Sequence, residues 1–296
     1  MAAETNPFDA HSTRARAPTQ WDGPSLANRW ALVLGASSGF GASTALELAR
    51  SGMNILGVHL DTRATLANAQ RVAEEVRGLG REALFFNVNA ADPRKRASVV
   101  DSVQERLRGE EHPYVRVVLH SLAFGTLKPF LPPQPEEALT QAQMEMTLDV
   151  MAHSLVYWVQ ELYYRRLLAQ GSRVFAMTSA GASRVFPEYG AVSAAKAALE
   201  SHIRQLALEM GRQGITVVGI QAGVTDTPAL RKIPRHEKLL EVARASNPGG
   251  RTTTTEDVAR AIALLSDDRA GWINGSVVVV DGGEDIVMLG PEDSQG

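Results

Sequence analysis

Seven short apolar runs alternate with helical patterns along this chain, and that alternation leaves it few ways to fold. The first unit reads RWALVLGASSGFGASTALELARSGMNILGVHL: an apolar run, a glycine-rich turn, a helical pattern ending at Gly52, and a second apolar run. This is a strand–helix–strand unit. The rhythm continues with a helix over 65–79, strand EALFFNV, a helix over 94–107, strand VRVVLH, a helix over 141–168 and strand SRVFAMTS. A helix over 192–211, strand TVVGIQA, a helix over 256–265 and strand SVVVVDGG complete it. Such alternation predicts a parallel sheet covered on both faces, the Rossmann-like doubly wound α/β class. No internal repeat and no second core are visible, so a single domain is expected.

Composition removes several function classes. No apolar run approaches twenty residues, so the chain is not expected to span a membrane. A formal net charge of −3 argues against nucleic acid as the main partner. With no cysteine there is no disulfide, no thiol chemistry and no thiolate metal site, and the seven histidines show no ligand spacing. The start, MAAETNPFDAHSTRARAP, lacks the apolar centre of a signal peptide, which makes a cytoplasmic location the expectation. Residues 1–28 read as a polar, flexible arm, 29–289 as the domain and 290–296 as a tail.

Two segments interrupt the rhythm: LKPFLPPQPEEA (127–138) and GVTDTPALRKIPRHEKLLEVARASNPGGR (223–251). Both follow strands, at the carboxyl ends where open α/β sheets bind ligands, and the second is expected to be a substrate lid. In LGASSGFG, Gly35, Gly39 and Gly41 stand between the first strand and first helix. Glycines there let the backbone approach a diphosphate, and the helix start directs free N–H groups at it. The second strand ends GVHLDTR. His59 holds the place where an acidic residue would bond both ribose hydroxyls, and Arg63 is positioned to meet a 2′-phosphate. The expectation is NADPH; NADH stays open, because Asp61 can turn inward.

On these residues the chain resembles the short-chain dehydrogenase/reductases over about 29–289. The matching pieces are Gly35-x3-Gly39-x-Gly41, FNVNAADP after the third strand, Ser179, Lys196 and INGSVVVVDGG, with Leu34 where the family usually has Thr. Ser179 lies seventeen residues before Lys196, the spacing the family uses. The residue four before Lys196, where the family keeps its tyrosine, is Val192; a tyrosine stands instead at 189, seven before the lysine. Seven residues make nearly two helical turns, so Tyr189 and Lys196 share a face about 20° apart. Pro187 suits a first-turn position of that helix.

Tyr-x6-Lys is the arrangement of the enoyl-acyl-carrier-protein reductases within this superfamily, closest to the NADPH-preferring bacterial variety. His120-Ser121-Leu122-Ala123 and Asp149, which stands where ketone reductases keep a relay Asn, are similar to that group. The resemblance implies reduction of a trans-2-enoyl thioester in fatty acid or related acyl-chain biosynthesis, on acyl carrier protein or coenzyme A. It gives Tyr189, Lys196 and Ser179 catalytic roles. It gives the cofactor Gly35, Ser37, Ser38, Gly39, Phe40, Gly41, His59, Arg63, Asn89, Ala90, Ser121, Leu122, Ala123 and Lys196. Ala222, Gly223, Val224, Thr225 and Thr227 would hold the nicotinamide carboxamide, by the Val224 backbone and the Thr227 hydroxyl, and Phe124, Tyr189 and Leu230 would touch substrate. A homotetramer is implied, and the basic lid residues Arg231, Lys232, Arg235, His236 and Lys238 offer a helix face to an acidic carrier protein. Two other readings stay open: a carbonyl reductase acting on a 3-oxoacyl thioester or another ketone, and a dinucleotide-binding scaffold without turnover.

Overall fold

In the computed structural model, which describes residues 26–287, every apolar run becomes a strand. In chain order these are β1 (Trp30–Leu34), β2 (Asn54–His59), β3 (Ala83–Asn87), β4 (Val115–His120), β5 (Arg173–Thr178), β6 (Thr216–Ala222) and β7 (Val277–Val280). They form one parallel sheet in the order β3-β2-β1-β4-β5-β6-β7. The chain moves outward from β1 to β3, then returns to build the other half from β4. β1 therefore pairs with both β2 and β4, and Leu34 at its end faces Val58 on one side and His120 on the other. That switch point is where such sheets bind ligands.

Strand side chains alternate between two cores. Trp30, Leu32 and Leu34 pack with α3 (Pro93–Leu107), α5 (Ser154–Tyr164) and α6 (Gly190–Met210). Ala31 and Val33 pack with α1 (Gly39–Arg50), α2 (Leu66–Gly78) and α8 (Thr255–Leu265). Helices thus cover both faces, as strand apolarity demands.

Three expectations change. The helix over 141–168 is three pieces: α4 (Gln141–Leu148), a π turn (Asp149–His153) and α5, which stops at Tyr164. Hydroxyls of Thr147 and Ser154 donate to the carbonyls four residues back, Gln143 and Val150, and Ser154 Oγ also meets His120 Nε2 at 2.8 Å. Such back-bonding competes with the regular ladder. Next, α6 begins at Gly190, and Glu188 at φ 62 is left-handed, so Pro187 lies outside the helix, not in its first turn. Finally, the lid holds a short 3₁₀ turn (Leu230–Lys232) and α7 (His236–Ser246), with Arg235 left-handed between them. The basic residues therefore do not share one helix face. The arm, apart from 26–28, and the tail fall outside the described residues.

Candidate active site

The turn after β1 is built by contact. Gly35 has φ 92, and a β-carbon on it would fall on the Ser121 carbonyl; one on Gly41 would fall on the Gly35 carbonyl. These contacts press the start of α1 against the β1 and β4 ends, where Ser121 N–H donates to the Leu34 carbonyl at 2.9 Å. Ser38 precedes α1 in extended form with no side-chain cap, and the first turn carries no acidic residue. The helix start keeps its N–H groups and positive end for an anion, which fits the diphosphate of a dinucleotide. Ser37 and Phe40 flank that start, and a β-carbon on Gly39 would lie 3.7 Å from the Thr227 methyl, so the turn meets the loop after β6.

At the end of β2, His59 is buried and its Nδ1 lies 2.8 Å from Asp61 Oδ2, whose side chain is also nearly covered. Asp61 is engaged by the imidazole, and Asn87 brackets its backbone through bonds of 2.9 and 3.0 Å. Arg63 is exposed. After β3, Asn89 Oδ1 accepts from Ala91 N–H, and the buried Ala90 offers its carbonyl to Trp158 Nε1 at 2.9 Å.

Tyr189 caps α6, and its carbonyl accepts the first helical bond from Ser193 N–H at 2.8 Å. Its ring lies on Gly181, where a β-carbon would come within 2.6 Å of Cε1, and meets Phe186 edge-on. Phe130, from the proline-rich segment, lies against Gly190. Burial pushes the Tyr189 phenol up, and a hydrogen bond with Ser179 opposes it. The phenol is thus a protonated donor at neutral pH. Ser179 Oγ accepts from Gly181 N–H at 3.1 Å, and Ser193 Oγ donates to the Gly181 carbonyl. Gly181 therefore holds both hydroxyl-bearing residues, a role legible only as a glycine two after the serine.

Val192 is closed off. It is 5% exposed, and its Cγ2 would lie 2.9 Å from a β-carbon on Gly125, with Thr147 and Met151 equally close. The usual tyrosine position is core here. Lys196 is also buried and donates from Nζ to the Met177 carbonyl at 2.7 Å. Burial lowers it to about 8, against the charge of Glu200. Its ammonium is thus held toward β5, while burial raises the Tyr189 phenol. Asp149 begins the π turn packed on α6.

The loop after β6 continues from Ala222 through Gly223, with Thr225 and Thr227 buried. Thr227 Oγ1 accepts from Leu230 N–H at 3.2 Å, leaving its proton to donate. The Val224 N–H is taken by the Glu284 carboxylate at 3.1 Å, so the backbone donor expected of Val224 is already bonded. Glu284 comes from the turn after β7, far in sequence, which is why sequence reading missed it. Beside the β4 end, Leu122 is half-buried while Ala123 and Phe124 are exposed toward solvent. No group of metal-binding side chains occurs among the described residues, and no helix there is long and apolar enough to cross a membrane.

Comparison with known proteins matches residues 35–284 to a family described as Enoyl-(Acyl carrier protein) reductase. The chain is 35% identical over 152 residues to enoyl-acyl-carrier-protein reductase (NADH) FabI of Escherichia coli, covering 51% of this chain and 57% of that one. It is 27% identical over 260 residues to 3-oxoacyl-acyl-carrier-protein reductase FabG of Pseudomonas aeruginosa, covering 88% and 98%. The solved enoyl-acyl-carrier-protein reductase (NADH) of Aquifex aeolicus superposes with a TM-score of 0.77 at 25% identity, covering 90% and 100%.

Proposed function

The chain belongs to the short-chain dehydrogenase/reductases, in the family described as enoyl-(acyl carrier protein) reductase, and from that premise we propose that it reduces the C2–C3 double bond of a trans-2-enoyl thioester. As a member of that superfamily it is an NAD(P)(H)-dependent oxidoreductase with a Rossmann-like domain. The observation that carries the finer reading is the exchange at the start of α6: Tyr189 beside Ser179, with Val192 sealed under Gly125.

When bound, the nicotinamide supplies a hydride. In an enoyl thioester the hydride goes to C3, a proton is taken up at C2, and negative charge gathers meanwhile on the thioester oxygen. A ketone instead develops its charge on the oxygen bonded to the carbon that receives the hydride. A phenol displaced toward the helix start suits the remoter oxygen. Tyr189, held protonated by burial, donates to that oxygen as its charge grows, and Ser179 shares the load. Lys196 holds the nicotinamide ribose, and Thr227 offers its hydroxyl to the carboxamide. The helix start at Ser38–Gly41 takes the diphosphate.

NADPH is the proposed cofactor, because Asp61 is committed to His59 and Arg63 is free at the surface. Two enoyl reductases that it resembles are named for NADH, so the NADPH reading rests on residues 59–63 and not on likeness. The proposal includes an acyl-carrier-protein-linked substrate in acyl-chain biosynthesis, a cytoplasmic setting and a homotetramer. The edge strand β7 and the exposed Trp272 support self-association.

The test is oxidation of NADPH and NADH with crotonyl and dodecenoyl thioesters beside acetoacetyl thioester. Turnover of the enoyl substrates is expected. Turnover of acetoacetyl thioester alone gives the 3-oxoacyl reductase reading, which the FabG likeness favours. Cofactor binding without turnover of any of them gives the scaffold reading.

A further inference from the structure

Two consecutive residues at the end of β5 hold two side chains of opposite charge from one face of α6. The Met177 carbonyl accepts from Lys196 Nζ at 2.7 Å. Thr178 Oγ1 donates to Glu200 Oε1 at 2.7 Å. Lys196 and Glu200 are four residues apart in α6, so their side chains lie one turn from each other on the same side. The Met177 carbonyl fixes where the ammonium points. It brings no net charge, and an ammonium this deeply buried needs one nearby to stay protonated.

The other ionisable groups around Lys196 do not supply it. From β4, His120 is fully buried and is pushed down to about 3 by burial and by the lysine charge, so it is neutral. From the start of α6, Tyr189 is held as the phenol. The π turn packed on α6 carries His153, bonded to His202 at 2.9 Å, and Asp149, whose charge is not among those acting on Lys196. β5 presents only the Met177 carbonyl and the Thr178 hydroxyl. Glu200 is the charge that opposes the loss of the lysine proton.

We propose that Glu200 is a positioning residue: anchored by Thr178, it keeps Lys196 charged where the lysine meets the cofactor ribose. This rests on the reading of Lys196 as the cofactor lysine, and not on whether the substrate is an enoyl thioester or a ketone. Glu200 touches neither cofactor nor substrate in this scheme, so its effect is confined to the protonation of Lys196.

The experiment follows NADPH binding by nicotinamide fluorescence from pH 6 to 10, in the absence of any acyl substrate. Wild-type affinity is expected to weaken as pH rises through about 8, where Lys196 loses its proton. In Glu200→Gln, which keeps the shape and the Thr178 contact, that transition should move down by about one pH unit. The Kd at pH 8 should rise several-fold while the Kd at pH 6 stays within about twofold, on the same reasoning. Glu200→Asp should keep the wild-type profile, and Lys196→Met should abolish the transition. Thr178→Val, which frees the carboxylate from its anchor, should shift the transition in the same direction and gives a second route if Glu200→Gln does not fold. An unmoved transition in Glu200→Gln overturns the proposal, as does an equal loss of affinity at every pH, which is the mark of packing alone. A transition that survives in Lys196→Met overturns it by removing the lysine reading itself. None of these outcomes depends on the enoyl assay, so either idea can fail without the other.

Discussion

Tyr189 lies so close on Gly181 that a β-carbon there would come within 2.6 Å of the ring. The same glycine binds Ser179 Oγ through its N–H and takes the Ser193 hydroxyl on its carbonyl. One small residue thus sets the distance between the phenol and the serine. Gly181→Ala should leave the fold intact, because Gly181 sits in a short turn with a negative φ, while moving the ring by a fraction of an ångström to an ångström. Misplacement of that size costs up to about a hundredfold in rate. kcat should fall with little change in the Kd for cofactor; an unchanged kcat would show that the ring position is not catalytic.

Tyr189→Phe removes one hydroxyl and should reduce kcat about ten- to a thousandfold, since the lost bond is strongest when the oxygen is charged. The paired variant, Tyr189→Phe with Val192→Tyr, should not recover activity. Val192 is packed under Gly125, Thr147 and Met151, so a ring there meets core and destabilises the chain. Recovery of enoyl reduction by the pair would show that the site accepts the usual tyrosine position. Steady-state kinetics with a thermal melt on each variant separates the two.

The strands and the glycine turn were legible because both are local signals: apolar runs of period two, and glycines where backbone meets backbone. So was the nearness of Ser179 to Tyr189, which lie on a short stretch of chain. What sequence could not supply was decided by partners far along it. Ser154 meets His120 across 34 residues, beside the π turn. Glu284 reaches Val224 across 60 and occupies a donor assigned to the cofactor. Ideal helical geometry also put Tyr189 one step too far inside α6, since the left-handed Glu188 is a backbone choice that residue type does not announce.

On the proposed reading, cofactor preference turns on three residues. Asp61 accepts from His59, and Arg63 is left exposed. Arg63→Ala should raise KM for NADPH about tenfold, the scale of one charge-assisted hydrogen bond, and leave KM for NADH nearly unchanged. A wild-type preference for NADH, lost in Asp61→Asn, would mean that the carboxylate turns from His59 to the ribose.

His120 gives a pH signature. Burial first, then the Lys196 charge, lowers it to about 3, whereas in the unfolded chain it titrates near 6.5. Between those values the unfolded state holds a proton that the folded state lacks. Stability therefore rises with pH through that window and is lost as pH falls from about 6.5 toward 3. One such group contributes a slope of about 1.4 kcal/mol per pH unit inside the window. His120→Asn should lower stability at pH 7, because Ser154 loses its partner, yet flatten the acid limb by up to that slope. Denaturant melts at pH 4 to 7 measure it; an unaltered slope would mean that His120 is charged in the folded protein.

The lid bears on the carrier. Arg231 is held by Asp226 through two bonds of 2.7 and 2.9 Å, so its charge is largely spent. Lys232 ends the 3₁₀ turn and Lys238 lies in the first turn of α7; both are exposed, on separate elements. An acidic carrier protein spanning the lid can reach both, whereas a patch on one helix face does not exist here. Lys232→Glu with Lys238→Glu should raise KM for a carrier-linked enoyl substrate several-fold, and added salt should mimic it on the wild type, because exposed charges are screened within about 10 Å at 0.1 M. The coenzyme A thioester should change much less. Arg231→Glu is a different probe, since it sets a second acid beside Asp226 and disturbs the loop leading from Thr227 into the lid. It should impair both substrates alike. If the lysine pair does so too, the charges serve the lid and not a protein partner.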